Sequence, residues 1–270
     1  MGIPKFGKLI YLKIMENKFP VYIISKGRAY NPITAKIFEV AGVDYNIVVE
    51  PQEEAEYITA LSKERVLVLP FSNLGLGSYP ARNFCWEHAK LNNHKYHWLF
   101  DDNIFHFRKW VNGKRVKYEN INEALIYVEN FALKNSIDIA GFEEPNFVVQ
   151  MPKRPFKINC HVYSALLIKN DLPYRWRLKY NEDVDLCLQV LHNGGSTASC
   201  VYYMANKETT ANKMKGGNQT ELYKGNAPEK NLLKAKMLQA VWPQYVKVVI
   251  RFNRHHHLIN WRVFKKKVTT

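Results

Sequence analysis

The sequence lacks what would mark a secreted, membrane-spanning or zinc-stapled protein. Its four cysteines, Cys85, Cys160, Cys187 and Cys200, form no CxxC pair and no zinc-ligand spacing. They read as free thiols of a reducing compartment. No apolar run approaches the roughly 18 residues of a membrane span. LIYLKIM (9–15), the nearest thing to a signal peptide, is interrupted by Lys13, and no small-residue cleavage site follows. A cytoplasmic protein with no membrane partner is expected. Repeats are absent, and no Pro, Gly or Ser-rich linker divides the chain. Acid is scarce: 24 Asp and Glu face 39 Lys and Arg, for a net charge of +15. That surplus is large for an enzyme of small metabolites and favours a polyanion such as nucleic acid.

Hydrophobic residues at 47% and aromatics at 13% of 270 residues are enough for a sizeable core. The first half alternates strand and helix signals. VYIIS (21–25), YNIVVE (45–50) and RVLVLP (65–70) read as strands, with helices at 33–42 and 52–62 between them. A Gly-rich loop and a helix from Pro80 to Leu91 then lead to a strand ending at Asp101. This spacing predicts right-handed crossovers and a mostly parallel, Rossmann-like sheet. Asn112-Gly113 marks a hairpin. A helix at 122–134, strands at 137–142, 147–151 and 160–169, a helix from Asn181 to Asn193 and a strand at TASCVYYMA follow. A loop at about 206–225 precedes a helix from Pro228 to Val241. The expected layout is an extension at 1–14, one α/β domain at 15–245 and a basic tail at 246–270. From Lys247 onward the chain carries seven Lys or Arg and no acid, interleaved with Phe252, Trp261 and Phe264.

The most informative stretch is YHWLFDDNI, 96–104. A buried-strand pattern ends abruptly in two acids and an asparagine where the sheet meets solvent. Adjacent carboxylates repel unless a cation intervenes, and a divalent metal carrying a nucleotide diphosphate is a common solution. A second acidic cluster, Asn181-Glu182-Asp183-Val184-Asp185, opens a helix that Asn181 could cap. A carboxylate there could act as general base toward an acceptor hydroxyl. Ser25-Lys26-Gly27-Arg28 lies after the first strand, where parallel sheets bind nucleotides, and Arg82-Asn83 opens the helix before the acidic strand. Lys213 and Lys215 sit in a glycine-containing loop able to close over a diphosphate. His255, His256 and His257 form an internal run, and one of them is a candidate metal ligand.

VYIISKGRA, YNIVVEPQE, LPFSNLGLGSYPARN, WLFDDNIFHF and YNEDVDLCLQVLHNGG, in this order between about residues 20 and 195, together resemble the TET-associated glycosyltransferases. These occur mainly in bacteriophages, and a related domain occurs in an animal family of oestrogen-responsive regulators. The resemblance implies a GT-A fold, a UDP-sugar donor and a divalent metal, manganese or magnesium. It places Asp101, Asp102 and Asn103 at the donor-metal position, with Asp102 and Asn103 as ligands, and Glu182 or Asp183 at the base position. Asn103 departs from the usual Asp-x-Asp pattern and would coordinate through its carbonyl oxygen with less charge. The donor set expected on this basis is Ser25, Lys26, Gly27, Arg28, Glu50, Arg82, Asn83, Asp101, Asp102, Lys213 and Lys215. Phage members are implied to glycosylate hydroxymethylated pyrimidines in DNA within the infected host cell, whereas the animal relatives suggest a protein acceptor.

A DNA acceptor accounts for the charge. Lys207, Lys224, Arg251, Arg254, Arg262, Lys265, Lys266 and Lys267 are the expected phosphate contacts. The hydroxymethyl group on a pyrimidine C5 could be reached in the major groove or after the base is flipped out. Phe105, Phe107 and Trp110 are candidate stacking residues or plain core. The expectation is an inverting, metal-dependent hexosyl- or N-acetylhexosaminyltransferase acting on 5-hydroxymethylcytosine in DNA. An inactive nucleic-acid-binding module on the same fold is the alternative from another class.

Overall fold

A computed structural model describes residues 17–208, 215–217 and 227–264. The first half follows the alternation read from sequence: β1 (Val21–Ile24), α1 (Ile33–Val40), β2 (Asn46–Val49), α2 (Glu54–Ala60), β3 (Val66–Val68), α3 (Tyr79–Leu91) and β4 (Tyr96–Asp101). A hairpin, β5 (Ile104–Val111) and β6 (Lys114–Tyr118), comes next. Then follow α4 (Ile121–Asn135), β7 (Ile139–Glu143), β8 (Phe156–Ile158), β9 (Ala165–Lys169), α5 (Glu182–His192) and β10 (Thr197–Lys207). The described chain closes with α6 (Ala227–Val241), β11 (Val246–Arg251), β12 (Arg254–Ile259) and a 3-10 turn at Trp261–Phe264.

Ten strands make one sheet in the order β3-β2-β1-β4-β9-β7-β10-β5-β6, with β8 paired to β10. Pairing is parallel through β3-β2-β1-β4 and again between β7 and β10. Antiparallel pairs join β4 to β9, β9 to β7 and β10 to the β5–β6 hairpin. Residues alternate across a strand, so β4 serves two cores at once. Tyr96, Trp98 and Phe100 enter one core with Phe38 of α1 and Leu125 and Val128 of α4. Leu99 enters the other with Trp86 of α3 and Leu186 and Val190 of α5. Helices thus cover both faces, which is the α/β, GT-A-like architecture expected. Burying β4 on both faces delivers its C-terminal acids to the end of the sheet.

Three local expectations differ. The segment 147–151 is not a strand. Pro145, Pro152 and Pro155 remove amide donors there, and a 3-10 turn at Pro145–Phe147 leads into an irregular loop. The strand expected at 160–169 begins only at Ala165, because Asn159 and Ser164 adopt left-handed backbone. The segment from 246 is not a loose tail over its described part. β11 and β12 form a hairpin, and Val246 and Ile259 join Leu238, Trp242, Val184 and Leu188 in a third apolar cluster against α5. Each such side chain, once buried, stabilises by roughly 1.5–3 kcal/mol, enough to dock the hairpin. The Trp242 indole also donates to the fully buried Asp185 at 2.7 Å. Asp185 is tied to Arg177 at 2.9 and 3.0 Å and is therefore structural.

Candidate active site

The ends of β1, β2 and β4, the starts of α3 and α5 and the face of α6 surround a cleft of about 950 Å³. Ser25, Lys26, Arg28, Glu50, Arg82, Asp101, Asp102, Asn103, Glu182, Asp183, Lys207 and Arg254 all line it. Parallel pairing of β1 with β4, Ile24 opposite Asp101, is what brings the 25–28 turn beside the acids.

Asp101 and Asp102 point to different partners. Asp101 accepts from Arg82 Nη2 at 2.8 Å and from Lys207 Nζ at 3.1 Å. Burial pushes its carboxyl up, but Lys207 and Arg82 outweigh that and hold it at about 2. Asp102 is ion-paired to Arg28 and accepts from Ser25 Oγ at 2.6 Å. Tyr57, on α2, donates to that same hydroxyl at 2.6 Å and accepts from the Arg28 amide at 3.1 Å. Here burial wins: the Asp102 carboxyl lies above its ordinary range despite Arg28.

The start of α5 works otherwise. Asn181 is in left-handed backbone and makes no side-chain cap; its amide donates to Lys234 O at 2.9 Å. Glu182 accepts from Ser78 Oγ at 2.7 Å and lies 3.5 Å from Arg82 Nε. Asp183 accepts from the amide of Val184 at 2.7 Å and, among the described residues, belongs to no ion pair. Burial raises both carboxyls, and Arg82 opposes this. Arg82 is the hinge of the site, bonded to Asp101, Ser78 and Glu182 and lying 4.8 Å over the Trp176 ring.

Residues 215–217 lie on the 26–28 turn. The Gly217 amide donates to Lys26 O at 2.7 Å, and Arg28 Nε donates to Lys215 O at 3.1 Å. Gly216 has φ +79°, and a Cβ there would strike the Gly27 carbonyl, so only glycine allows this approach. Lys215 contributes its carbonyl, and its side chain is exposed. Gly27 acts through its amide, which donates to Glu53 at 2.9 Å. Glu50 is held by Lys26 at 3.0 Å and Gln52 at 2.6 Å.

Other sequence expectations are redirected. Asn83 turns away from the cleft and braces the backbone of Trp176 at 2.8 and 3.0 Å. Lys207, expected on DNA, turns inward to Asp101 and Ser164 and is no outer phosphate contact. Phe107 and Trp110 are core, which removes them as stacking residues; Phe105 packs edge-on to His106. Arg251 and Arg262 are exposed. His257 is kept below its usual range by burial and by His161 and His256. Lys213, Lys224, Lys265, Lys266 and Lys267 lie outside the described residues. Ser78, Tyr57, Ser164 and the basic wall of Lys179, Lys230 and Lys234 went unread in the sequence. Tyr57 carries only a core-helix signal there, and the others carry none.

A divalent cation fits one corner of the site. Asn103 Oδ1 is buried with no hydrogen-bond partner among the described residues, and the Asp102 carboxylate, paired with Arg28, is its neighbour in the chain. Asp101 is already satisfied by two cations. Among the described residues no group of three His, Cys, Asp or Glu could hold a metal alone. Asp102 and Asn103 would therefore share an ion with phosphate oxygens, a habitual arrangement for magnesium.

An α/β sheet whose parallel half ends in an acid pair, faced across a cleft by a helix beginning Glu-Asp, defines the GT-A-like class. Within it, the chain belongs to the TET-Associated Glycosyltransferase family, whose model matches residues 19–217. It is thus a glycosyltransferase by family, and α6 and the β11–β12 hairpin lie beyond the match. No curated protein matches the chain. No described helix is long and apolar enough to cross a membrane.

Proposed function

We propose that the protein transfers a sugar from a UDP-sugar to the hydroxyl of 5-hydroxymethylcytosine, or another hydroxymethylated pyrimidine, in DNA. The observation that carries this is Asp183. It is a half-buried carboxylate raised by burial, with no ion-pair partner among the described residues, in a cleft where the other acids are held by cations. Eight Lys or Arg face five acids along the lining, a surplus suited to a diphosphate and a nucleic-acid backbone.

Arg28, Lys26 and the 215–217 segment hold the donor diphosphate at the end of β1, and Glu50 and Ser25 flank the nucleoside. Asp102 and Asn103 hold manganese or magnesium, which supplies charge neutralisation of the diphosphate. Asp183 takes the proton of the acceptor hydroxyl. The hydroxyl oxygen bonds to the anomeric carbon as the bond from that carbon to the diphosphate oxygen breaks, and the electron pair leaves with UDP. Attack opposite the leaving group inverts the anomeric centre. Glu182, anchored by Ser78, keeps Arg82 in place. Lys179, Lys230, Lys234 and Arg254 give the cleft a basic wall toward the DNA backbone.

The test is UDP release with a panel of UDP-sugars, using hydroxymethylated and unmodified DNA as acceptors, followed by mass spectrometry of the nucleosides. Hexose or N-acetylhexosamine is expected only on hydroxymethylated DNA. DNA affinity should fall with salt at a log–log slope of about −0.9 per phosphate neutralised. Sugar found on protein and never on DNA would transfer the reading to a protein acceptor. Binding of DNA without any UDP-sugar binding would leave a degenerate binding module.

A further inference from the structure

The C-terminal hairpin has a feature that sugar transfer itself does not use. A two-residue turn, Phe252-Asn253, joins β11 to β12 and is closed by the Arg251–Arg254 pair. Both turn residues have positive φ, 50° and 56°. Glycine and asparagine fill such turns readily, whereas a bulky aromatic there is out of place. Phe252 draws nothing from the fold in return, being 92% exposed, and Ile250 on the approaching strand is 69% exposed. A side chain that is both strained and solvated stabilises only what binds it. Its flanks indicate what that is. Arg251 is exposed, and Arg254 lines the cleft that holds Asp183. The tip is an exposed apolar ring on a turn closed by two arginines, one of which lines the cleft.

We propose that Phe252 is a wedge. It enters the base stack of duplex DNA as the target pyrimidine turns out into the cleft, while Arg251 and Arg254 hold the flanking phosphates. The proposal rests on the DNA-acceptor reading above. A stacked base cannot present its substituent inside a cleft, so the nucleotide must leave the helix. An apolar side chain inserted at the vacated step recovers part of the lost stacking. The neighbouring arginines match the charge of the backbone on either side.

The test compares wild-type protein with Phe252→Ala on one hydroxymethylated sequence in three forms: fully paired, mispaired at the target, and single-stranded. Phe252→Ala should lower kcat/KM on the paired duplex by about tenfold or more, since each 1.4 kcal/mol of unrecovered unstacking costs tenfold. Activity on the single strand should be unchanged and the mispaired duplex intermediate. Fluorescence of 2-aminopurine beside the target should rise on binding wild type and not on binding Phe252→Ala. Phe252→Gly, which keeps the turn and removes the ring, should behave as Phe252→Ala with a melting temperature no lower than wild type. Equal loss on all three DNAs, or no loss on the duplex, overturns the wedge. So does a Phe252-dependent affinity for anionic vesicles with duplex transfer untouched. Wild-type transfer to none of the DNAs sinks the acceptor reading and the wedge together, whereas equal transfer by wild type and variant sinks the wedge alone.

Discussion

Two pairs of consecutive acids face the same cleft and differ in the cations they meet. At the end of β4, Asp101 is held by Arg82 and Lys207, and Asp102 by Arg28 and Ser25. At the start of α5, Glu182 is anchored by Ser78 and Arg82, and Asp183 accepts from a backbone amide. Sequence shows the same thing twice, two carboxylates in a row. The cations each acid receives separate Asp101 from the rest. Lys207 and Arg82 hold Asp101 at about 2, while burial raises Asp183, which suits the base role proposed for it.

The largest test of that contrast is removal of metal. EDTA should abolish transfer and manganese should restore it, with Asp102→Asn losing UDP-sugar affinity in a titration run below its unfolding transition, since loss of the buried pair with Arg28 should also lower its melting temperature. Full activity in EDTA would show that Arg28, Lys26 and the 215–217 segment carry the diphosphate without a metal. Next is the base. Asp183→Asn should keep donor and DNA binding while turnover drops by roughly 10²-fold or more, the usual scale for general-base loss. If Glu182→Gln shows that drop instead, the roles within the pair are reversed.

Arg82 joins the two pairs, so Arg82→Gln should harm both. Removing one partner from a buried ion pair costs about 3–5 kcal/mol, and the melting temperature should fall accordingly. An unchanged melting curve would mean that the β4 acids do not rely on it. The smallest effect is on pH. The raised carboxyls of Glu182 and Asp183 must be ionised for one of them to act as base, so kcat/KM should fall with acidification earlier than for an ordinary carboxylate. Lys207 favours the ionised form of Asp183, so Lys207→Met should move that limb to higher pH. A limb that moves down or stays put would separate Lys207 from the base.

Much of this site was legible before folding. The β4 run announced a strand buried on both faces, because only a central strand tolerates apolar residues at every position. The 25–28 turn, Arg82, the β4 acids and Glu182-Asp183 were each recognisable from the element they begin or end. Other placements depend on distant partners. Asn83, expected on the donor, bonds the backbone of Trp176, and Lys207, expected on DNA, bonds Asp101 and Ser164. The hairpin at 246–259 passed for a tail because its apolar residues are interleaved with lysine, arginine and histidine. What orders it is Trp242 and Ile259 packing on α5, a contact that no local pattern encodes.

By itself, then, the sequence determined local matters: where strands and helices run, which ends carry acids, and a surplus of positive charge. These follow from periodicity and turn chemistry over a few residues. Tertiary structure decided which cations each acid meets and how deeply it is buried. Asp101 meets Arg82 from 19 positions away and Lys207 from 106, and Asp102 meets Arg28 from 74. Those meetings depend on β4 lying beside β1 and on the end of β10 reaching Asp101. Burial then sets the cost of each charge, and neither strand order nor burial is written in any short stretch of chain.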